Sequence, residues 1–237
     1  AIVGDVLAGL EKRGFDSIRL GALSGLIVEE LRAWLEKVRN AKAETRFRAE
    51  VAAGRIQFRL RTDHHNWQMP FEAETYEPEE ADQLVGGDGQ ALRKSLFAPI
   101  YRGDFSSQDE RDIAVYLDSE KALTWWHRNV ARSGYAISGW RREKIYPDFI
   151  FAMQHGESDK KLVVLEMKGQ HLAGNDDTEY KKAVLRLMME SFAIEQMEHV
   201  GELEWVEANG ATVACDLVLM PEWKTRLPGL MTPSPNI

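Results

Sequence analysis

Cysteine is nearly absent from this 237-residue chain: Cys215 is the single example, so no disulfide can form within it. A lone thiol is typical of a reducing compartment, which predicts a cytoplasmic protein, and it excludes zinc sites built from thiolates alone. The sequence also lacks an apolar run near the ~20 residues that span a bilayer, and its first residues lack the basic segment of a signal peptide. We therefore expect no membrane association.

Several common catalytic and cofactor motifs are missing as well. The sequence has no G-x-x-x-x-G-K-[ST] phosphate loop, no dinucleotide-binding loop and no nucleophile elbow. Its six histidines do not follow the spacing of zinc ligands. We therefore do not expect helicase activity, dinucleotide-dependent redox chemistry or zinc catalysis from this chain.

Positive charge is also in short supply, because the net charge is −8. Affinity for DNA draws heavily on the neutralisation of phosphates, so this balance argues against an autonomous, high-affinity DNA binder. One stretch differs: between Glu120 and Lys144 the local balance is +4. This stretch is either a nucleic-acid contact or an ordinary solvated surface. Its basic residues are Lys121, Arg128, Arg132, Arg141, Arg142 and Lys144.

The first part of the chain predicts a connecting module of helices and a strand. Apolar side chains recur at helical spacing from Ile27 to Val38, and a second helical stretch, about Lys42 to Ala53, should end at Gly54. The alternation over Ile56–Leu60 then predicts a half-buried strand. Prolines and glycines between residues 70 and 92 indicate a loop or boundary. We place the module at residues 1–95.

Residues 96–237 alternate between helical and strand patterns, which predicts a second domain. Ser107 and Glu110 match the S-x-x-E capping box, so a helix should follow them. This order predicts an α/β or α+β fold, with a mixed central sheet flanked by helices. The other expected elements are a helix over Glu120–Ala131, strands over Ile145–Met153 and Leu162–Met167, a helix over Thr178–Met197 with Asp176 or Asp177 as N-cap, a strand over Ala211–Met220 and a frayed tail from Pro228.

Three polar side chains interrupt two of these apolar strands: Asp148 in the first, and Glu166 and Lys168 in the second. Buried charges are costly unless they are paired or bind a metal. Alternation places Glu166 and Lys168 on one strand face, and a hairpin connection would bring Asp148 beside them. Two carboxylates form the hard oxygen site that Mg²⁺ prefers, to which the Met167 carbonyl could add a ligand. The pattern predicts phosphodiester hydrolysis, with Lys168 orienting water and stabilising the transition state.

Asp148, with Pro147 before it, and Glu166-Met167-Lys168 together resemble the PD-(D/E)xK nuclease motif. The likeness is greatest to the C-terminal endonuclease domain of type III restriction enzyme Res subunits and related helicase-nucleases, over roughly residues 105 to 185. The resemblance implies a restriction-endonuclease-like core, DNA as substrate and Mg²⁺ as cofactor, with Mn²⁺ able to substitute. It also implies a helicase or ATPase domain or subunit, and a modification subunit, outside this chain.

The same residues allow other interpretations. Glu166 and Lys168 could form an ion pair at a sheet end, with Asp148 capping a turn. A nuclease fold could also be a non-cleaving nucleic-acid-binding or scaffolding module, because fold alone does not fix function. An active site of this type could equally cut RNA, or remove nucleotides from ends. The sequence leaves these possibilities open.

Two polar residues outside the triad are further candidates. The resemblance implies that Glu110 faces the metal as a fourth acidic group, although its capping box already explains it. Gln170, two residues past Lys168, is expected on the same strand face, where it could contact substrate or water. An ordinary strand-end glutamine is the alternative.

The resemblance also implies nucleic-acid contacts from two other segments. Tyr180 and Lys181 open the long helix, where a cation near the helix N-terminus suits phosphate. The alternative for Lys181 is a simply solvated side chain. Arg128 would contact phosphate and Asn129 would position the strand. For this second pair, the alternative is a buried hydrogen-bond network.

Overall fold

The computed structural model describes residues 2–60, 67–75, 79, 82–156, 159–193 and 212–232. Its backbone contacts divide the chain into two units, Ala1–Ile56 and Gln57–Ile237. The division falls well before the boundary expected at residue 95. Residues 57–95 belong with the second unit because Leu84 and Leu92 are buried in its core.

The first unit is helical, as the apolar spacing predicts. Its helices are α1 (Ile2–Glu11), α2 (Ser17–Ala22) and α3 (Ser24–Ala52). The two helical stretches expected before Gly54 are one continuous helix, α3. Gly54 follows the end of α3 with φ of 69°, the left-handed conformation for which glycine is favoured after a helix.

The connection between the units is irregular. Residues 56–60 are not assigned to a strand, although burial alternates as expected: Phe58 and Leu60 are buried and Gln57 is exposed. The described part of the proline- and glycine-rich stretch holds isolated bridges, including Val85 to Ala91. The alternation therefore predicted which side chains are buried but not the hydrogen bonding of the backbone.

A four-stranded mixed sheet forms the centre of the second unit. Its strands are β1 (Leu123–Arg128), β2 (Phe149–His155), β3 (Asp159–Lys168) and β4 (Thr212–Leu219), in that spatial order. β1 and β2 pair antiparallel, β2 and β3 pair antiparallel, and β3 and β4 pair parallel. The predicted mixed sheet flanked by helices, and the α+β class, are confirmed.

Helices cover both faces of this sheet. They are α4 (Gln108–Ser119), α5 (Asp176–Phe192), which precedes β4, and α6 (Trp223–Leu230). Alternate strand residues such as Phe149 and Leu165 share one buried cluster with the apolar sides of α4 and α6. Their strand neighbours point to the opposite face, against which α5 packs its own buried side chains.

The prediction of a helix over Glu120–Ala131 is wrong, because this segment contains β1. Its Leu-Thr-Trp-Trp sequence is rich in β-branched and aromatic residues, which favour strands. Trp126 is fully buried and is paired on both sides, by Phe151 of β2 and by a bridge to Ser95. Tertiary pairing therefore overrides the helical spacing of the apolar residues.

Other element boundaries also differ from the sequence predictions. β2 begins at Phe149 rather than Ile145, because Ile145 pairs with Ile137 in an isolated bridge. The N-cap of α5 is Asn175, whose side chain accepts a 2.7 Å hydrogen bond from the Thr178 N–H, and neither Asp176 nor Asp177. The part of that predicted helix beyond residue 193 lies outside the described residues.

The tail expected to fray from Pro228 begins inside α6. The proline removes one helical N–H, but Trp223 and Leu227 are buried in the core and hold the helix. Residues 233–237 lie outside the described part of the chain. No helix in the described ranges has the length and apolar character needed to cross a membrane.

Asp118, near the end of α4, ties the helix to β1 and to the preceding loop. Its carboxylate accepts hydrogen bonds from the N–H groups of Arg93 and Lys94, the latter at 2.8 Å, and from the Trp126 indole N–H at 2.9 Å. These donors converge on one acceptor, so the side chain fixes the approach of three segments.

We predict that Asp118→Ala lowers the free energy of unfolding by about 2–4 kcal/mol, because it leaves the N–H groups of Arg93, Lys94 and the Trp126 indole without this acceptor. Urea denaturation of the purified protein measures this change. Asp112→Ala is the matched control, since that carboxylate on the same helix accepts from the Gln108 side chain. A loss no greater than that of the control would contradict the proposed role of Asp118.

Candidate active site

Asp148 and Glu166 lie side by side at the open end of the β2–β3 hairpin, opposite the turn that connects the two strands. The Asp148 N–H donates to the Leu165 carbonyl at 2.9 Å, and its Oδ2 accepts from the Met167 N–H at 2.6 Å. The Asp148 residue therefore bonds to the residues on either side of Glu166. This contact brings together the two carboxylates that the sequence predicted to be neighbours.

Glu166 is buried, with 3% of its surface exposed, and two lysines reach it from the sheet and from α5. Its Oε1 lies 2.6 Å from Lys181 Nζ and 3.6 Å from Lys168 Nζ. Its Oε2 is buried and has no hydrogen-bond partner in the described part of the chain. The carboxylate is thus paired on one oxygen and unsatisfied on the other.

The pKa of Asp148 is raised to about 7, first by burial and then by the nearby charge of Glu166, whereas the Met167 N–H opposes the shift. The pKa of Glu166 is also raised by burial, against the lowering effect of Lys181 and Lys168. Burial lowers the pKa of Lys181, but the adjacent Glu166 carboxylate outweighs it and the net shift is upward. A buried carboxyl group, that of Glu166, and a half-buried one, that of Asp148, therefore compete for the same limited positive charge.

The donor set at this point fits a divalent cation. An oxygen of Glu166 lacks a partner, and the neighbouring carboxyl group of Asp148 resists ionisation beside it. A cation between them would satisfy both groups. The Met167 N–H points to Asp148, and in an antiparallel strand the carbonyl of the same residue points to the same side. The described residues contain no group of three or more His, Cys, Asp or Glu side chains able to hold a metal, so the Met167 carbonyl and water would have to complete the ligands.

Glu110 lies in the first turn of α4, close enough for its charge to raise the pKa of Asp148. The Ser107 hydroxyl accepts the Glu110 N–H, as predicted for the N-cap. The Glu110 carboxylate, however, accepts from the Ser106 N–H at 3.1 Å and pairs with Arg128 at 3.5 Å. Glu110 is therefore held beside the carboxylate pair by Ser106 and Arg128.

Asn129 and Tyr180 both occupy structural positions. The Asn129 amide is buried, donates to the Tyr135 and Pro147 carbonyls at 2.8 and 2.9 Å, and accepts from the Tyr135 N–H. Tyr180 is 5% exposed and packs under Gly139, where an added Cβ would lie 2.4 Å from the tyrosine hydroxyl. The buried-network alternative therefore describes Asn129, and neither side chain is presented to a phosphate.

Gln170 is not on the strand face of Lys168, because β3 ends at Lys168 and Gln170 begins a short 3-10 helix, Gln170–Leu172. Its side chain is exposed. The expectation of a continued strand overlooked this 3-10 turn, which ends the alternation of side chains after Gly169.

Two neighbours of the site carried little signal in the sequence. Asp177 was expected only as a helix cap, yet its Oδ2 lies 3.4 Å from Lys168 Nζ. Arg141 lies over the Tyr180 ring at 4.4 Å and donates to the Asp176 carbonyl. The i,i+4 spacing of Asp177 and Lys181 could have indicated their contact. Other basic residues of the +4 stretch are exposed, namely Lys121, Arg132, Arg142 and Lys144.

We predict that Asp148→Asn stabilises the metal-free protein above neutral pH. The pKa of Asp148 in the folded chain, about 7, exceeds its ordinary value of 3.8, so its contribution to stability is present at acid pH and lost as pH rises through 7. Asparagine keeps an acceptor for the Met167 N–H and carries no charge. We expect a melting temperature at pH 8, in EDTA, at least ~2 °C above wild type, and little difference at pH 4.

Asp112→Asn, on the surface of α4, controls for the loss of one negative charge. Added Mg²⁺ should stabilise wild type more than Asp148→Asn. An Asp148→Asn variant that melts below wild type at pH 8 in EDTA would show that the carboxylate pair is not under electrostatic strain.

Comparisons with protein-family models, with curated proteins and with solved structures give no match to this chain. The interpretation of the site therefore depends on its own chemistry: two adjoining carboxyl groups, one of them with an unsatisfied oxygen, and two lysines at the same end of the sheet.

Proposed function

We propose that the second unit is a Mg²⁺-dependent nuclease of the PD-(D/E)xK type that hydrolyses DNA phosphodiester bonds. The observation that carries this proposal is the pairing of Asp148 with the residues on either side of Glu166, whose Oε2 is buried without a partner. A structural ion pair would satisfy its charges, whereas this cluster keeps unsatisfied acceptor capacity at the point where a cation fits.

Asp148 and Glu166, with the Met167 carbonyl, are the residues that would hold the cation. The chemistry that Mg²⁺ supplies when bound is polarisation of a phosphodiester and a lower pKa for a bound water. The protein contributes one buried and one half-buried acidic ligand, at a site where electrostatic interactions are stronger than in water. The order of strands with a mixed sheet between helices also supports a restriction-endonuclease-like core.

Lys168 is the residue we assign to water positioning and charge stabilisation. Its side chain is 16% exposed and its ammonium group lies 3.6 Å from Glu166 Oε1. An ammonium group has three donors, so Lys168 can retain one carboxylate contact and direct another donor at water or at a phosphate oxygen. Negative charge that develops on the phosphate would then meet a fixed cation in a site partly shielded from solvent.

Lys181 adds a second positive charge at the same carboxylate, 2.6 Å from Glu166 Oε1. We assign it a role in holding Glu166 and in receiving the substrate phosphate. Glu110 is held near the pair by Ser106 and Arg128, and we assign it to the outer part of the metal environment. Arg128 is paired with Glu110, so we assign it to holding that carboxylate in place rather than to binding DNA directly.

The negative net charge of the chain indicates that the proposed nuclease needs a partner to bring DNA to it. A net charge of −8 provides little general attraction for DNA, so we propose that a helicase or ATPase domain or subunit delivers the substrate. We also propose a modification subunit as a partner, as in other restriction-type systems.

We predict that purified protein nicks or linearises plasmid DNA in Mg²⁺ or Mn²⁺ and that Lys168→Ala lowers the rate at least ~100-fold, as for loss of one transition-state donor. Lys182→Ala is the matched control, since that lysine is 46% exposed and pairs with Glu179 on the outer side of α5. Gel assays with EDTA-treated and metal-reconstituted samples measure both rates.

Cleavage that survives Lys168→Ala would contradict the assignment of this site. Binding of DNA without any metal-dependent cleavage would instead support a non-cleaving binding or scaffolding module. Circular DNA, labelled linear DNA and labelled RNA of matched sequence distinguish internal cutting of DNA from removal of terminal nucleotides and from ribonuclease activity.

A further inference from the structure

A four-membered charge network covers the solvent side of the site. Lys168 Nζ lies 3.6 Å from Glu166 Oε1 and 3.4 Å from Asp177 Oδ2. Lys181 Nζ lies 2.6 Å from the same Glu166 oxygen and 3.9 Å from Asp177 Oδ2. Each ammonium group is therefore located between an inner and an outer carboxylate.

The two carboxylates differ greatly in exposure. The Glu166 side chain is 4% exposed, each lysine side chain is 16% exposed, and the Asp177 side chain is 53% exposed. An anion that approaches the lysines from solvent therefore meets Asp177 first. It must compete with the Asp177 carboxylate for the same ammonium groups, and it is repelled by the charge of that carboxylate.

Helix stabilisation explains Asp177 only in part. Acidic residues in the first turn favour a helix, and α5 has three of them: Asp176, Asp177 and Glu179. Asp176 is exposed and Glu179 pairs with Lys182, away from the site. Asp177 alone of the three contacts Lys168 and Lys181 in the described structure.

We propose that Asp177 is a positioning residue that occupies the place of a DNA phosphate on Lys168 and Lys181 until substrate displaces it. This inference rests on the nuclease function proposed above. The two ion pairs of Asp177 are long and open to solvent on the carboxylate side, and pairs of this kind are weak, so a phosphate can replace them. Asp177 thus keeps the two ammonium groups oriented in the free protein and lowers affinity for nucleic acid that cannot present a phosphate at this point.

The proposal is tested by duplex DNA binding in EDTA, where no cleavage interferes. Asp177→Asn should bind a fluorescent duplex about three- to tenfold more tightly than Asp176→Asn, the magnitude expected for release of two exposed ion pairs. The slope of log Kd against log salt should steepen by about one unit, because a freed lysine gains a phosphate contact. Asp177→Glu keeps the charge and should bind like wild type.

A second arm shows whether Asp177 acts through the lysine. In a Lys168→Ala background, Asp177→Asn should improve binding much less than it does in the wild-type background. In Mg²⁺, Asp177→Asn should lower KM for plasmid and should not raise kcat, since the chemistry of the metal ligands is unchanged.

Asp177→Asn that binds no better than Asp176→Asn, or binds no DNA, would overturn the proposal. The proposal would also be overturned if Asp177→Asn improved binding as much in the Lys168→Ala background as in the wild-type background. These binding outcomes are separate from the nuclease test: a protein that cleaves through Lys168 but shows no Asp177 effect loses this inference alone. An Asp177 effect on binding without metal-dependent cleavage would retain the phosphate site and reject the nuclease.

Discussion

The second unit depends on one electrostatic constraint, which is the enclosure of two carboxyl groups, buried Glu166 and half-buried Asp148, at one end of a sheet. Asp148 accepts the Met167 N–H and Glu166 accepts from Lys181, yet an oxygen of Glu166 remains unsatisfied. Proteins seldom keep an unpaired buried oxygen of this kind, because it costs stability in the absence of a ligand. We interpret that cost as the consequence of a site that is built for a cation.

The surrounding fold makes this arrangement possible. β2 and β3 bring Asp148 and Glu166 together, because their antiparallel pairing continues from the buried residues Phe149 and Leu165. α5 supplies the second lysine and α4 supplies a third carboxylate, each from a helix whose apolar side is buried against the sheet. The rigid core therefore holds all the charged groups from elements that cannot easily separate.

Sequence patterns predicted β2 and β3 well, because polar residues inside apolar runs are costly and thus informative. They predicted the helix after Ser107 and the strand from residue 212 for similar reasons. They failed at β1, where strand pairing overrides local spacing. At Asn129 they left open the choice between a nucleic-acid contact and the buried network, in which its amide contacts residues 135 and 147. Long-range contacts of this kind are not encoded in any local pattern, and the contact of Asp177 with Lys168 across two elements is another example.

Anomalous diffraction from crystals soaked in Mn²⁺ tests whether Asp148 and Glu166 hold a divalent cation between them. We predict a strong anomalous peak between the carboxylates of Asp148 and Glu166, with metal–oxygen distances of about 2.1 Å to these groups and with the Met167 carbonyl as a further ligand. The same soak of Asp148→Asn crystals should weaken or abolish that peak. Two results would contradict a shared cation site. One is a saturating soak that gives no peak in contact with both carboxylates, and the other is a structure in which the Asp148 and Glu166 carboxylates point to opposite sides of the sheet.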